Sequence, residues 1–205
     1  SLYAGSAPTP AATVVVPRGT TNTVNVDLNE SAAAIVESDV PVLVVHQSTD
    51  DQDSFNLHPA ATEWYGTSSG TVYVGVLEDD TDIAFYASSQ TTLPQSGNYD
   101  RGDVVSITGG GSQGSGLAIR IVADRPVGAI RQADSDGGES CTYLPYERLG
   151  TFYVLPTSAE YVALCCPDAG TTVWLADAAG ATLTGTVRTP SHSAPYPGKV
   201  LYDTG

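Results

Sequence analysis

The sequence predicts an all-β protein made of two pseudo-repeated, sandwich-like β units with extended terminal segments. Short runs rich in Val, Ile, Thr and Tyr alternate with turn residues, among them 21 Gly and 13 Pro, as is typical of strands joined by tight turns. No stretch sustains a 3.6-residue apolar period, so almost no helix is expected. One sequence motif also occurs twice, which indicates an internal duplication.

The repeated motif occupies residues 37–47 and 122–132, and each copy has Asp-x-Pro-Val, an apolar run, a basic residue and Gln. Pro41 corresponds to Pro126 and Gln47 to Gln132, both with an offset of 85 residues and without a gap. Units of about 80 residues lie near the lower limit for independent folding, so we expect them to pack together. We predict an extended N-terminal arm (1–12), a first unit with its linker (13–97), a second unit (98–180) and a C-terminal tail (181–205).

The strands of the first unit follow from its β-branched runs, with prolines at strand starts, where a missing N–H donor costs least. They are expected at 13–16, 23–28, 32–37, 41–47, 71–77 and 82–87. Residues 78–81 (EDDT) are expected to join the last two strands as a hairpin. Residues 55–70 are expected to be irregular, with Trp64 and Tyr65 as packing anchors, and residues 88–98 to link the units.

The second unit repeats this plan, with strands expected at 103–108, 117–122, 126–132, 151–155, 160–165 and 172–175. The tail adds strands at 181–188 and 199–202, which either complete the second unit or pair with a neighbouring subunit. Arg101-Gly102-Asp103 occupies the position of Arg18-Gly19-Thr20 in the first unit. We therefore interpret Arg-Gly as turn residues rather than as part of a recognition tripeptide.

The charge balance restricts the partners of the chain. It has 8 basic and 23 acidic residues, a net charge of −15 and a pI near 4.1. An acidic surface repels phosphate, so nucleic acid and anionic membranes are poor partners, and no apolar run is long enough for membrane insertion. The single Lys and the abundant Asp, Ser, Thr and Gly favour an extracellular or cell-surface location. A virion is the alternative, depending on whether a signal peptide or an initiator Met preceded Ser1.

Two acidic loops are candidate calcium sites because they fall at the same place in both units. Oxygen-rich loops with nearby glycines can supply the six to eight ligands that Ca²⁺ takes. Neither loop matches the helix-loop-helix calcium pattern, and the alternative is a solvated acidic loop. The candidate ligands are Asp50, Asp51 and Asp53 in the first unit and Asp134, Asp136 and Glu139 in the second.

Three cysteines all lie in the second unit. A disulfide from Cys141 to Cys165 or Cys166 would cross-link that unit, and the alternative is three reduced thiols. A zinc site is not expected, because a fourth ligand at metal-site spacing is missing.

No nucleophile, base or paired-carboxylate pattern predicts catalysis, so we do not expect an enzyme. A carbohydrate-binding module is one alternative function, with sugars stacking on Trp64, Tyr65, Tyr143 and Tyr146. Such a platform requires exposed, coplanar rings, whereas packing anchors would be buried.

A run of motifs gives the chain a family resemblance. The order is Asp-x-Pro-Val with an apolar run, a polar loop with Cys141, Tyr143-Leu-Pro145, and residues 149–154 (LGTFYV). It resembles the N-terminal domain of IgGFc-binding proteins and their secreted bacterial relatives from Asp124 to Leu155, and more faintly from Asp39 to Tyr73. The chain is shorter than that domain, lacks several of its cysteines and has no mucin-type modules. The resemblance implies a secreted, β-rich, non-catalytic module of surface layers or adhesion, and Fc binding is not carried over.

The sequence therefore predicts a non-enzymatic structural subunit of an extracellular assembly, such as a filament, sheath or adhesive layer. Repeats, extended termini and open strand edges favour assembly with copies of itself or with other surface proteins. A virion structural protein of a phage tail or head is the alternative of the same kind. No cofactor is expected apart from calcium.

Overall fold

A computed structural model describes residues 1–24, 32–47, 54–68, 70–88, 95–108, 117–132, 140–155, 161–168, 170–190 and 194–203. The chain is all-β, as predicted, and the described part contains no helix long and apolar enough to cross a membrane. The strands are β1 Leu2–Ala4, β2 Ala34–Val36, β3 Val45–Gln47, β4 Ser54–Asn56, β5 Ala61–Ser68, β6 Thr71–Val76, β7 Thr81–Ala87, β8 Gln95–Tyr99, β9 Val104–Thr108, β10 Leu117–Gln132, β11 Cys141–Thr142, β12 Leu144–Pro145, β13 Tyr161–Cys166 and β14 Gly198–Asp203, and a 3-10 turn at Tyr146–Arg148 follows β12.

An eight-stranded antiparallel sheet is built around the 16-residue β10. Buried residues alternate with less buried ones over most of its length, which suits a strand with one face in the core. β5 and β11 pair with one side of β10, and β6 and β7 pair with the other. β9 extends the sheet beyond β6, β8 extends it beyond β7, and β12 borders β5.

The predicted hairpin at 78–81 is wrong, because β6 and β7 do not pair with each other. Both strands run antiparallel to β10, with Val76 opposite Val127 and Ile83 opposite Ala123. Residues 77–80 therefore separate two strands that pair with successive parts of the same side of β10. The two strands gain more burial by lying end to end on this apolar strand than they would by pairing as an isolated hairpin.

The sheet bends where these interruptions line up. β6 and β7 break at residues 77–80, β8 and β9 at residues 100–103, and the pairing of β10 with β5 shifts between Val122 and Val127. Bends of this kind let one sheet fold over its own core. The main core is a cluster that includes Val72, Val74, Val76, Ile83, Phe85, Val105, Ile119, Ile121, Val127 and Trp64.

Strand pairing crosses the predicted boundary between the two units, and the main core draws on residues from both. β5, β6 and β7 of the predicted first unit pair with β10 of the second. The two copies of the repeated motif also lie in different environments. Val127, one residue after Pro126, is fully buried, whereas Val42, one residue after Pro41, is 49% exposed. Of the two strands that contain this motif, β10 has a partner on each side, whereas β3 pairs with β4 alone.

The chain ends pair within the chain. β1 of the predicted arm pairs with β2, and β14 of the predicted tail pairs with β13. The β13–β14 hairpin has a small cluster of its own, formed by Cys166, Val200 and Tyr202. The strands predicted at 172–175 and 181–188 reduce to single bridges, Val173 with Arg188 and Ala176 with Thr182.

Other predicted strands have mixed outcomes. Residues 13–16 and 151–155 form no strand, and of 41–47 only Val45–Gln47 does. The predicted strand at 23–28 lies mostly outside the described residues. The predictions of an irregular stretch at 55–70 and of a linker at 88–98 were also wrong, because these residues contain the strands β5 and β8. Both strands are rich in polar or small residues, so pairing with β10 and β7 outweighs their local propensity.

Candidate functional site

The four rings proposed to stack on sugars do not form a binding platform. Trp64 is 1% exposed, Tyr65 4% and Tyr143 1%, and only Tyr146 is open, at 47%. The indole N–H of Trp64 donates to the carbonyls of Ala61 and Val127, each at 3.0 Å. Ala61 and Val127 pair with each other at one end of the register shift between β5 and β10, so Trp64 stabilises the bend of the sheet. The carbohydrate hypothesis is therefore wrong for these residues.

The expected disulfide is absent, although all three cysteines lie in the described part of the chain. Cys141 is opposite Arg131, near one end of β10, and the thiol of Cys165 lies 3.6 Å from the carbonyl oxygen of Ile119, near the other end. Arg131 and Ile119 are twelve residues apart on β10, so the two cysteine positions are separated by roughly 40 Å along the strand at about 3.3 Å per residue, before allowing for the bend. A disulfide requires Cα atoms within about 7 Å.

Adjacent Cys165 and Cys166 point to opposite faces of β13, as successive strand residues do. Cys166 packs in the cluster of the hairpin, while Cys165 faces β10. Burial raises the pKa of the Cys165 thiol to about 12, so this thiol stays protonated at neutral pH.

The proposed calcium ligands Asp50, Asp51, Asp53, Asp134, Asp136 and Glu139 all lie outside the described residues. Among the residues that are described, no group of three or more His, Cys, Asp or Glu side chains is arranged to hold a metal ion. Calcium binding by the two loops stays a prediction.

The Arg101-Gly102 pair forms a turn at the bend. The Asp103 N–H donates to the carbonyl of Asp100 at 3.0 Å, and Gly102 has a φ of +87°, which favours glycine. The Gly102 N–H bonds the carbonyl of Val76, whose own N–H bonds the carbonyl of Asp103, the pattern of a bulge that begins with glycine.

The Arg101 side chain is occupied within the chain. It donates to the carbonyl of Leu77 at 3.1 Å, lies 3.4 Å from a carboxylate oxygen of Glu37, and stacks over the Tyr3 ring at 5.4 Å. Arg101 thus joins β1 and β2 to the bend, and the tripeptide is not presented as a free loop.

A polar cluster joins the β13–β14 region to the main sheet. Arg120 contacts Glu63 at 2.8 Å and donates to the carbonyl of Pro195 at 3.1 Å. The Tyr65 hydroxyl donates to the same Glu63 oxygen at 2.5 Å, and burial together with this bond raises the pKa of Tyr65. Each group has its partner, so the cluster is best explained as a structural joint.

The outer face of the sheet carries an open trough of about 520 Å³ beside the bend. Its floor is a row of small outward side chains on three adjacent strands, in which Val122 pairs with Ala84 and Ala84 with Ser96. One wall is polar: Asp82 and Asn98 are paired at 3.0 Å, and a carboxylate oxygen of Asp124 accepts the N–H of Asp82 at 2.8 Å.

A second group of side chains, here called the aromatic wall, lies two residues further along the same strands, beyond the residues that line the trough. There Arg120 pairs with Tyr86 in the register of β10 and β7, its guanidinium 5.6 Å from the ring centre, and Tyr86 meets the Tyr196 ring edge to face at 5.7 Å. The trough is thus apolar at its floor and acidic on one side, and the aromatic wall lies next to its other side.

Exposed apolar segments are the second unusual feature. Phe152, Tyr153, Val154 and Leu155 are 86, 61, 75 and 52% exposed, although they are consecutive and large. Val14, Val15 and Val16 form a second such run, and Val40, Val42, Leu43 and Val45 a third. All three runs lie in stretches without Asp or Glu, namely 1–26, 40–49 and 148–159.

Sequence reasoning assigned strands to these runs from their β-branched and aromatic residues. It could not show that these side chains would be exposed in the described part of the chain. Comparison with protein-family models, with curated proteins and with solved structures finds no match for the chain.

Proposed function

We propose that the chain is a non-enzymatic structural subunit that assembles with copies of itself on an extracellular surface, as a filament, sheath or adhesive layer. The observation that supports this proposal is the exposed run 152–155, whose four side chains are all more than half exposed. Complete burial of a Phe, Val or Leu side chain contributes roughly 1.5–3 kcal/mol. Leaving four such residues in water is unfavourable, and a contiguous apolar stretch of this kind is typical of an association surface.

The charge distribution supports self-association through these runs. With a net charge of −15, two copies repel each other over most of their surfaces. The apolar runs lie in the acid-free stretches of the chain, so contacts made there carry the least repulsion. The described backbone of residues 152–155 also forms no strand within its own chain, which leaves its N–H and C=O groups available to a partner strand.

The extracellular setting is part of the proposal and depends on composition and on the resemblance from Asp124 to Leu155. That stretch contains the second half of β10, β11, β12 and the exposed run. The resemblance implies a non-catalytic surface role, which agrees with a trough and apolar runs suited to protein contacts.

Light scattering and negative-stain electron microscopy of the purified chain, with and without calcium, test the proposal. We expect particles larger than the 21.2 kDa monomer, with a regular form. Phe152→Asp should shift the chain towards the monomer, because it places a carboxylate in the apolar contact. Val187→Asp is the matched control, since Val187 is also apolar and exposed, at 59%, but lies outside the three runs. A wild-type chain that stays monomeric at high concentration in both conditions would contradict self-assembly.

A further inference from the structure

The trough and the run 152–155 have complementary chemistry. Arg148 is exposed, lies at the start of the acid-free stretch, and forms no ion pair or side-chain hydrogen bond with the described residues. Phe152, four residues later, is the most exposed large apolar residue of the described chain, at 86%. The trough offers what both lack, carboxylates on one wall and an apolar floor, and the aromatic wall lies two residues further along β7.

We infer that the trough of one copy binds the segment 148–155 of a second copy. Arg148 lies against Asp82 and Asp124, and Phe152 covers the floor at Ala84 and reaches the aromatic wall. This inference rests on the proposed self-assembly and specifies which two surfaces meet.

The dimensions of the two surfaces agree. Four residues of extended chain span at most about 13–14 Å, which limits the separation of Arg148 and Phe152. On β7, Asp82 in the acidic wall and Tyr86 in the aromatic wall are also four residues apart, or about 13 Å along the strand. An arginine and an aromatic ring anchored on opposite walls are the residue types that dominate binding at protein interfaces.

Electrostatics select this pairing over contact between two trough surfaces. The bend next to the trough carries Glu78, Asp79, Asp80, Asp100 and Asp103, all exposed. Two such surfaces would repel each other, whereas Arg148 arrives from a stretch without acidic residues. Contact between two different surfaces of identical chains does not close on itself unless the rotation allows a ring, so it generates filaments or rings.

Two variants, each blocked at one surface, test the inference. Ala84→Arg fills the trough and repels Arg148, while its outward position on β7 leaves the core intact. Phe152→Asp blocks the other surface. Ser106→Arg, at an exposed position on β9, is the control for the added arginine. Circular dichroism and thermal unfolding of each variant establish that it is folded.

Alone, each blocked variant should be monomeric by light scattering, and the Ser106→Arg chain should assemble like the wild type. Mixed one to one, the blocked variants should form a dimer of twice the monomer mass and nothing larger, because each retains the surface that the other lacks. Arg148→Gln should raise the concentration needed for assembly about tenfold, and added salt should weaken wild-type assembly.

Three outcomes overturn the inference, and they separate it from the proposed function. If the folded Ala84→Arg chain assembles normally, the trough is not the acceptor, although self-assembly stands. If both variants are monomeric and their mixture does not dimerise, the two surfaces do not bind each other. If the wild type never assembles, the proposed function fails together with the inference.

Discussion

Gly102 at the bend offers the sharpest test of how the chain folds. A Cβ at this position would lie 2.2 Å from the backbone carbonyl carbon of Gly5 and from the backbone nitrogen of Ser6. Ordinary contact begins at 3.4 Å, so the segment at Gly5 would have to move by about 1.2 Å. That displacement disrupts the bond from the Gly5 N–H to the carbonyl of Ala33 and the bond from the Ala33 N–H to the carbonyl of Gly102.

The expected cost of Gly102→Ala is the sum of two effects. A non-glycine residue at a φ of +87° costs about 1–2 kcal/mol, and two disrupted hydrogen bonds cost about 1 kcal/mol each. We expect the free energy of unfolding to fall by about 3–4 kcal/mol. Guanidinium unfolding followed by fluorescence measures it in a Trp174→Phe background, where the buried Trp64 is the remaining reporter.

Two control glycines separate these effects. Gly180 has a φ of +85° with no atom within 4 Å of an added Cβ, so Gly180→Ala should cost only the backbone strain. Gly128 in β10 has neither the positive φ nor a neighbour, so Gly128→Ala should change stability by less than about 0.5 kcal/mol.

A double-mutant cycle gives the refuting result. In a chain that lacks residues 1–12 the clashing backbone is gone, and Gly102→Ala should then cost only about 1–2 kcal/mol. An unchanged cost of 3–4 kcal/mol in the shortened chain would refute the clash with Gly5.

Further predictions concern the bend and the thiols. Trp64→Phe removes the bond to the Val127 carbonyl and should lower the free energy of unfolding by about 2–4 kcal/mol, measured by circular dichroism; a change within about 0.5 kcal/mol would contradict its role at the bend. Thiol labelling should modify exposed Cys141 first and Cys165 only as the chain opens, and equal rates would show that the packing of β13 against β10 does not cover Cys165. Burial raises the pKa of the Cys165 thiol from 9.0 to about 12, and the pKa of Tyr65 is raised as well. The folded thiol therefore keeps its proton at pH values at which the unfolded thiol loses it. Stability should therefore fall as the pH rises above about 9, and Cys165→Ala should make that fall shallower in denaturant titrations.

Strongly patterned strands were the part of the fold that sequence predicted well. β6, β7, β9 and both halves of β10 lie close to their expected bounds, because each has buried positions at every second residue. β5 and β8 were missed, since Gly66 and Gly97 and the polar residues around them give little strand signal. Their strand conformation depends on β10 and β7, which lie far away in the sequence.

The candidate site was less predictable. Its floor is a row of Val122, Ala84 and Ser96, which come from three strands and share no motif. The aromatic residues chosen from the sequence were correct as packing anchors and wrong as a sugar platform, because composition does not show which face of a strand is buried. Phe152 was assigned to a strand, and only the structure shows that its own chain leaves it exposed.

The sequence by itself determined the all-β class, the acidic surface and the positions of the apolar runs, because these depend on local alternation and composition. The tertiary structure decided that strands from both predicted units share one bent sheet and one main core. The reason is physical: β10 has two sides to pair and a continuous apolar face to bury, and the strands that meet both needs come from elsewhere in the chain.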